Sequence, residues 1–97
     1  MNKQRRKALD EVHSKLMTLV DELESAQREL DDIREEEQDT LWNMPDSLHE
    51  SERGQRMDEI VSILDEADCT LTDAIDNIEE VMGNLWDIIE EFGYPIK

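Results

Sequence analysis

The chain has 97 residues and a mass of 11.4 kDa, enough for one small domain. Its 10 Lys+Arg against 27 Asp+Glu give a formal net charge of −17, which repels nucleic acid and anionic lipid and attracts basic surfaces. No apolar run reaches the roughly 18 residues that span a membrane, no signal-peptide core is visible, and the single Cys69 excludes an internal disulfide and fits a cytosolic setting. Leu, Ile, Val and Phe make up 23 of the 97 residues. That is just above the roughly 20% below which a highly charged chain stays disordered, so a fold with a thin core is expected.

In the first half, apolar residues fall at Leu9, Val12, Leu16, Leu19, Leu23, Ala26, Leu30 and Ile33, alternating steps of three and four. This is the heptad spacing of a coiled-coil helix, predicted over about 4–40. "DTLWNMPDSLHESERG" follows as a turn over about 41–50, where Pro45 bars the helix and Ser47 with Glu50 has capping-box spacing. Trp42, Met44 and Leu48 are expected to plug the end of the bundle there. The second helix is predicted over about 51–92. Its apolar residues fall at Met57, Ile60, Leu64, Ala67, Leu71, Ala74, Ile78, Val81, Leu85, Ile88 and Phe92, with Gly93 as cap and Pro95 as stop. Gly83-Asn84 is a weak point inside it, not an end.

The fold expected is all-α: a single antiparallel two-helix coiled-coil hairpin that dimerises into a four-helix bundle. Each helix would be about 55–60 Å long. Setting Leu9 against Ile88 gives the layers Leu16/Val81, Leu23/Ala74 and Leu30/Ala67, and places Glu22, Glu29 and Glu36 beside neutral Asn77, Thr70 and Ile63. The basic "NKQRRK" at the start and Glu90-Glu91 at the end each oppose their own helix dipole. An antiparallel pair brings them together and offsets both.

A second stripe on the second helix, Val61, Ile75, Met82 and Ile89 with Trp86, lies beside Met17 and Val20 of the first. An isolated hairpin would leave it in water, which predicts a homodimer interface or a docking face for another protein. The other surface is acidic. From Met57 to Ile96 there is no basic residue, while twelve acids occur. Asp58, Glu59, Asp65, Glu66, Asp73, Asp76, Glu79, Glu80 and Asp87 form the candidate partner-binding face. Ordinary solvated helices mix charge signs to gain i,i+4 pairs, and this helix forgoes them. Two readings follow: acidity that serves only solubility, or a nucleic-acid mimic whose carboxylates approach the ~1.7 Å axial charge spacing of duplex DNA.

The turn sequence "NMPDSLHESERGQRMDEI" resembles a pattern in small acidic helical-hairpin proteins of bacteriophages and other bacterial mobile elements, through Pro45, Ser47, Leu48, Ser51, Glu52, Arg53 and Gly54. More loosely, the charge balance is similar to that of phage DNA-mimicking anti-restriction and anti-CRISPR inhibitors. The turn resemblance implies the hairpin type, and the looser likeness implies a protein of the bacterial cytoplasm that inhibits a host nucleic-acid enzyme by covering its basic surface. No cofactor is expected.

Catalytic constellations are not expected. Asp10/His13 and Asp46/His49 have i, i+3 spacing, but metal sites in bundles need inward ligands from several helices, and these two pairs are far apart. Cys69 sits at an outward position beside Asp68, an acidic setting that disfavours a thiolate nucleophile. No phosphate-binding loop is present, and the basic cluster at 3–7 lacks the aromatics of a nucleic-acid site. The functional expectation is a non-enzymatic interaction protein, either such an inhibitor or a structural or adaptor coiled coil acting through the apolar stripe.

Overall fold

The computed structural model describes the backbone of residues 2–92 and the side chains of residues 2–90. Helix α1 spans Lys3–Trp42, the single turn α2 spans Asp46–His49, and α3 spans Glu52–Asp87, followed by a π-helical turn over Ile88–Phe92. Among the described residues there is no strand, so the protein is all-α. The expected Gly93 cap and Pro95 stop lie outside the described residues. Gly83 does not interrupt α3.

Each boundary has a local cause. The side-chain oxygen of Asn2 accepts the Arg5 backbone N–H at 2.8 Å, an N-cap that starts α1. At the other end, Pro45 has an extended ψ of 147° and cannot continue the helix. Its carbonyl then accepts from Leu48 at 2.8 Å and His49 at 3.2 Å, which creates α2. The expected Ser47–Glu50 capping box does not form, because α2 has no side-chain cap bond. The cap belongs to Ser51. Its hydroxyl accepts the Gly54 N–H at 3.2 Å and donates to the Leu48 carbonyl, tying α3 to α2. Gly54 is required at this junction. A Cβ there would meet the Leu48 carbonyl and lie 2.6 Å from the His49 carbonyl and 2.8 Å from its Cα.

Contacts divide the chain into two compact units. The unit Ser25–Thr72 holds the end of α1, α2 and the start of α3. Within it the Arg34 guanidinium lies 3.3 Å from the Asp65 carboxylate. The Gln27 amide donates to the Thr72 hydroxyl at 2.6 Å and the Asp68 carbonyl at 3.4 Å. These contacts define an antiparallel pair. Leu41, Met57 and Val61 are buried between its helices, and Leu30, Leu64 and Leu71 are half-buried. The other unit joins α1 up to Glu24 with α3 from Asp73 onward. The His13 and Trp86 rings lie 5.4 Å apart in it, and Val20, Ile75 and Ile89 are buried. Lys3, Arg6 and Lys7 share a groove of about 400 Å³ with Trp86 and Ile89, so this pair is also antiparallel. The basic opening of α1 thus lies against the end of α3, as the dipole argument expects; the Glu91 side chain is outside the described residues.

The seam is displaced from the expected one. On α1 the inward line runs Leu9, His13, Leu16, Val20, Leu23, Gln27, Leu30, Arg34, Glu37, Leu41. On α3 it runs Met57, Val61, Leu64, Asp68, Leu71, Ile75, Ile78, Met82, Leu85, Ile89. Lettered as heptads, His13, Val20, Val61 and Ile75 are a positions, while Leu9, Leu16, Met57 and Leu64 are d positions. Of the residues assigned to the seam from spacing alone, the lines of Val12 and Ile60 become the g flank, while those of Leu9 and Met57 stay inside. Val12, Leu19 and Ile33 of α1, with Ile60 and Val81 of α3, are exposed, as are Ala26 and Ala67. Both helices carry an apolar arc wider than one helix pair can cover, so one flank must stay out. Seating Val61, Ile75, Met82 and Ile89 buries larger side chains than Ala67 and Ala74 offer. This choice admits Gln27, Arg34 and Asp68 to the seam, where the hydrogen bonds above serve Gln27 and the ion pair with Asp65 serves Arg34. Among the described residues no side chain is fully buried, as expected of two helices with no third layer.

Candidate interaction surfaces

Heptad phase sorts the surface chemistry of α3. Glu59, Glu66, Asp73, Glu80 and Asp87 occupy every f position from 59 to 87, the line opposite the seam. Asp58, Asp65 and Glu79 are at e, and Asp76 is at b. All nine residues of the expected acidic face are exposed. From Asp58 to Asp87 the only acid elsewhere is Asp68 in the seam; the g and c positions of α3 carry none. On each unit, therefore, the carboxylates of α3 lie on the outer and e sides and its open apolar flank on the g side.

In the unit containing Asp73, five of these carboxylates (Asp73, Asp76, Glu79, Glu80 and Asp87) fall on α3 over about 21 Å of axis. Their mean gap of about 5 Å is of the same order as the 3.4 Å spacing along a single DNA strand. No basic residue lies on α3 after Arg56, so none of the five has an i,i+4 partner of opposite sign. In the other unit Arg34 serves two carboxylates, Asp31 at 2.9 Å and Asp65 at 3.3 Å. The hydrogen bond to Asp31 holds the Arg34 pKa above its ordinary value. Arg34 thus stands between acids of both helices that would otherwise repel.

The expected docking stripe is largely used by the chain itself. Val20, Val61, Ile75 and Ile89 are buried and Met82 is half-buried, so these five are core; only Met17 and Trp86 are open, at 49% and 42% exposure. The turn also differs from expectation. Leu41 is the buried residue there, whereas Trp42 is 68% exposed, Leu48 is exposed and Met44 half-buried. Leu41 was not singled out from the sequence, although it continues the line Val20, Gln27, Arg34 at steps of seven. The polar residues of that line hid it.

Among the described residues no three His, Cys, Asp or Glu side chains converge as metal ligands, and Cys69 is exposed. Among the described residues no helix is long and apolar enough to cross a membrane. No family model, curated protein or solved structure matches the chain.

Proposed function

We propose that this is a non-enzymatic interaction protein whose α3 carboxylates occupy a basic, nucleic-acid-binding surface of another protein, in the manner of a phage or mobile-element inhibitor of a bacterial defence enzyme. The observation that supports this reading most is the uninterrupted f line, whose Asp73, Glu80 and Asp87 are exposed together with Asp76 at b and Glu79 at e on one helical stretch without a cation. Concentrating like charge lowers the stability of the protein carrying it, so the pattern is best explained by a use. The alternative is a structural or adaptor coiled coil acting through an apolar face, with acidity serving solubility. The exposure of Ile33, Ile60 and Ile63 favours that reading. We also propose that the chain pairs with a second copy into a four-helix bundle.

The test is capture from bacterial lysate at low salt and at about 0.5 M salt, where screening shortens to a few ångströms. The bait is the native protein or a variant with Asp73→Asn, Asp76→Asn, Glu79→Gln and Glu80→Gln. A mimic captures a nucleic-acid enzyme at low salt, releases it at high salt and loses it to duplex DNA competitor. The neutralised variant captures none. Capture that persists at high salt and is unchanged by neutralisation refutes mimicry and leaves the apolar reading.

A further inference from the structure

We infer that the g flank of the unit Ser25–Thr72 is the face through which two copies pair, related by a two-fold axis parallel to its helices, so that α1 of one copy lies beside α3 of the other. The inference rests on the proposed pairing and specifies its surface. In the unit Ser25–Thr72 the flank consists of Ile33 at 50% exposure, Ile60 at 39% and, at the adjoining c position, Ile63 at 56%. Val12, Leu19 and Val81 repeat the pattern in the other unit at 44%, 41% and 47%. Each set presents branched apolar side chains to water on a chain otherwise rich in charge, the mark of a covered surface.

What covers it follows from the rims. Beside the flank of the unit Ser25–Thr72, the c positions of α1 carry Glu29 and Glu36, whereas those of α3 carry Arg56, Ile63 and Thr70. One rim is acidic and the other has no acid. A strongly basic partner would find nothing to pair with along the α3 rim, and a strongly acidic one would meet the glutamates of α1. A second copy set α1 against α3 brings each acidic rim to one that carries no acid, Glu29 near Thr70 and Glu36 near Ile63 of the other copy. Those neighbours were expected within one chain from spacing. The displaced seam moves them to the edge, where they meet between chains. Setting α1 against α1 would oppose glutamate to glutamate, which selects the axis. The remaining carboxylates of α3 point away at e, f and b, so pairing covers none of the candidate acidic face.

Sedimentation equilibrium from about 1 to 200 µM, at 0.15 and 0.5 M salt, tests this. The native chain should be dimeric and should tighten with salt, because an apolar interface between two acidic copies gains from screening. Ile33→Asp and Ile63→Asp, at positions already half exposed, should each weaken the dimer at least tenfold with helical circular dichroism unchanged. A native chain that is monomeric throughout overturns the pairing itself and leaves the flank to a different protein. A dimer that survives both substitutions overturns this face while leaving pairing intact. Glu29→Gln decides the axis. A change of less than about threefold fits α1 beside α3, and a tightening of tenfold or more shows α1 against α1 and overturns the arrangement.

Discussion

Two glycines of α3 make opposite predictions from the same substitution. At Gly83 a Cβ would have nothing within 4 Å, so Gly83→Ala meets no resistance. Ala exceeds Gly in helix propensity by about 0.8–1.0 kcal/mol, which should raise the melting temperature by roughly 4–8 °C for a domain of this size. At Gly54 the same propensity gain is available, yet the new methyl group would press on the carbonyls of Leu48 and His49 and lie 2.8 Å from the His49 Cα. These are backbone atoms and cannot rotate aside, so α2 must retreat by several tenths of an ångström or more. That retreat strains the Ser51 hydroxyl between the Leu48 carbonyl and the Gly54 N–H. Overpacking costs about 1–3 kcal/mol and a lost cap about 1 kcal/mol. After the propensity gain is subtracted, Gly54→Ala should destabilise by about 1–3 kcal/mol. Thermal circular dichroism at one fixed protein concentration compares the two. If Gly54→Ala stabilises as much as Gly83→Ala, α2 does not pack against the start of α3 and the account of the turn is wrong.

The seam and cap make further predictions. Ile75→Ala, at a buried a position, should cost about 2–4 kcal/mol, whereas Val12→Ala on the open flank should cost under about 0.5 kcal/mol in dilute, monomeric samples. Equal losses in urea melts would restore the seam read from spacing. Ser51→Ala should lose about 1 kcal/mol by the same measurement, with Ser47→Ala near zero, since Ser51 holds the cap. Arg34→Met should destabilise at low salt and progressively less as salt rises, because Asp31 and Asp65 then face each other without the cation. A loss independent of salt would mean that the aliphatic stem of Arg34 matters more than its charge.

Helix content and the central turn were legible in the sequence because they depend on local chemistry: steps of three and four, Pro45, and the absence of other breakers. The phase of the seam was not. Leu9, Leu16, Leu23 and Leu30 belong to either phase, and the choice between Val12-Leu19-Ile33 and His13-Val20-Arg34 on α1 favours the wrong one when α1 is read alone. The decision is made on α3, where Val61, Ile75, Met82 and Ile89 outweigh two alanines, and it propagates to α1 because the helices must present matching sides. Polar Gln27 and Arg34 carry no seam signal in the sequence. They enter the seam because their long side chains reach partners on α3, a fact about register that no window along one helix contains. The acidic face was legible because the phase read from spacing and the observed one both leave those carboxylates outside.

The two proposed surfaces bear on each other. A dimer built on the g flank brings together two chains that each carry a net charge of −17, so its own field opposes it even though the glutamate rims meet rims that carry no acid. A basic partner seated on the e and f carboxylates removes part of that repulsion without touching the flank. Binding of the partner therefore favours pairing, and by linkage pairing favours the partner to the same degree. The paired form also presents two acidic faces, so a target with two basic sites at a suitable spacing gains from avidity with no new contact. Salt acts in opposite directions on the two steps: it weakens the charged complex and strengthens the apolar dimer. A partner complex that loses its second copy of this chain when Ile33 is changed to Asp, while keeping the first, would separate the two surfaces within one assembly. Loss of both copies would mean that a single face does both jobs.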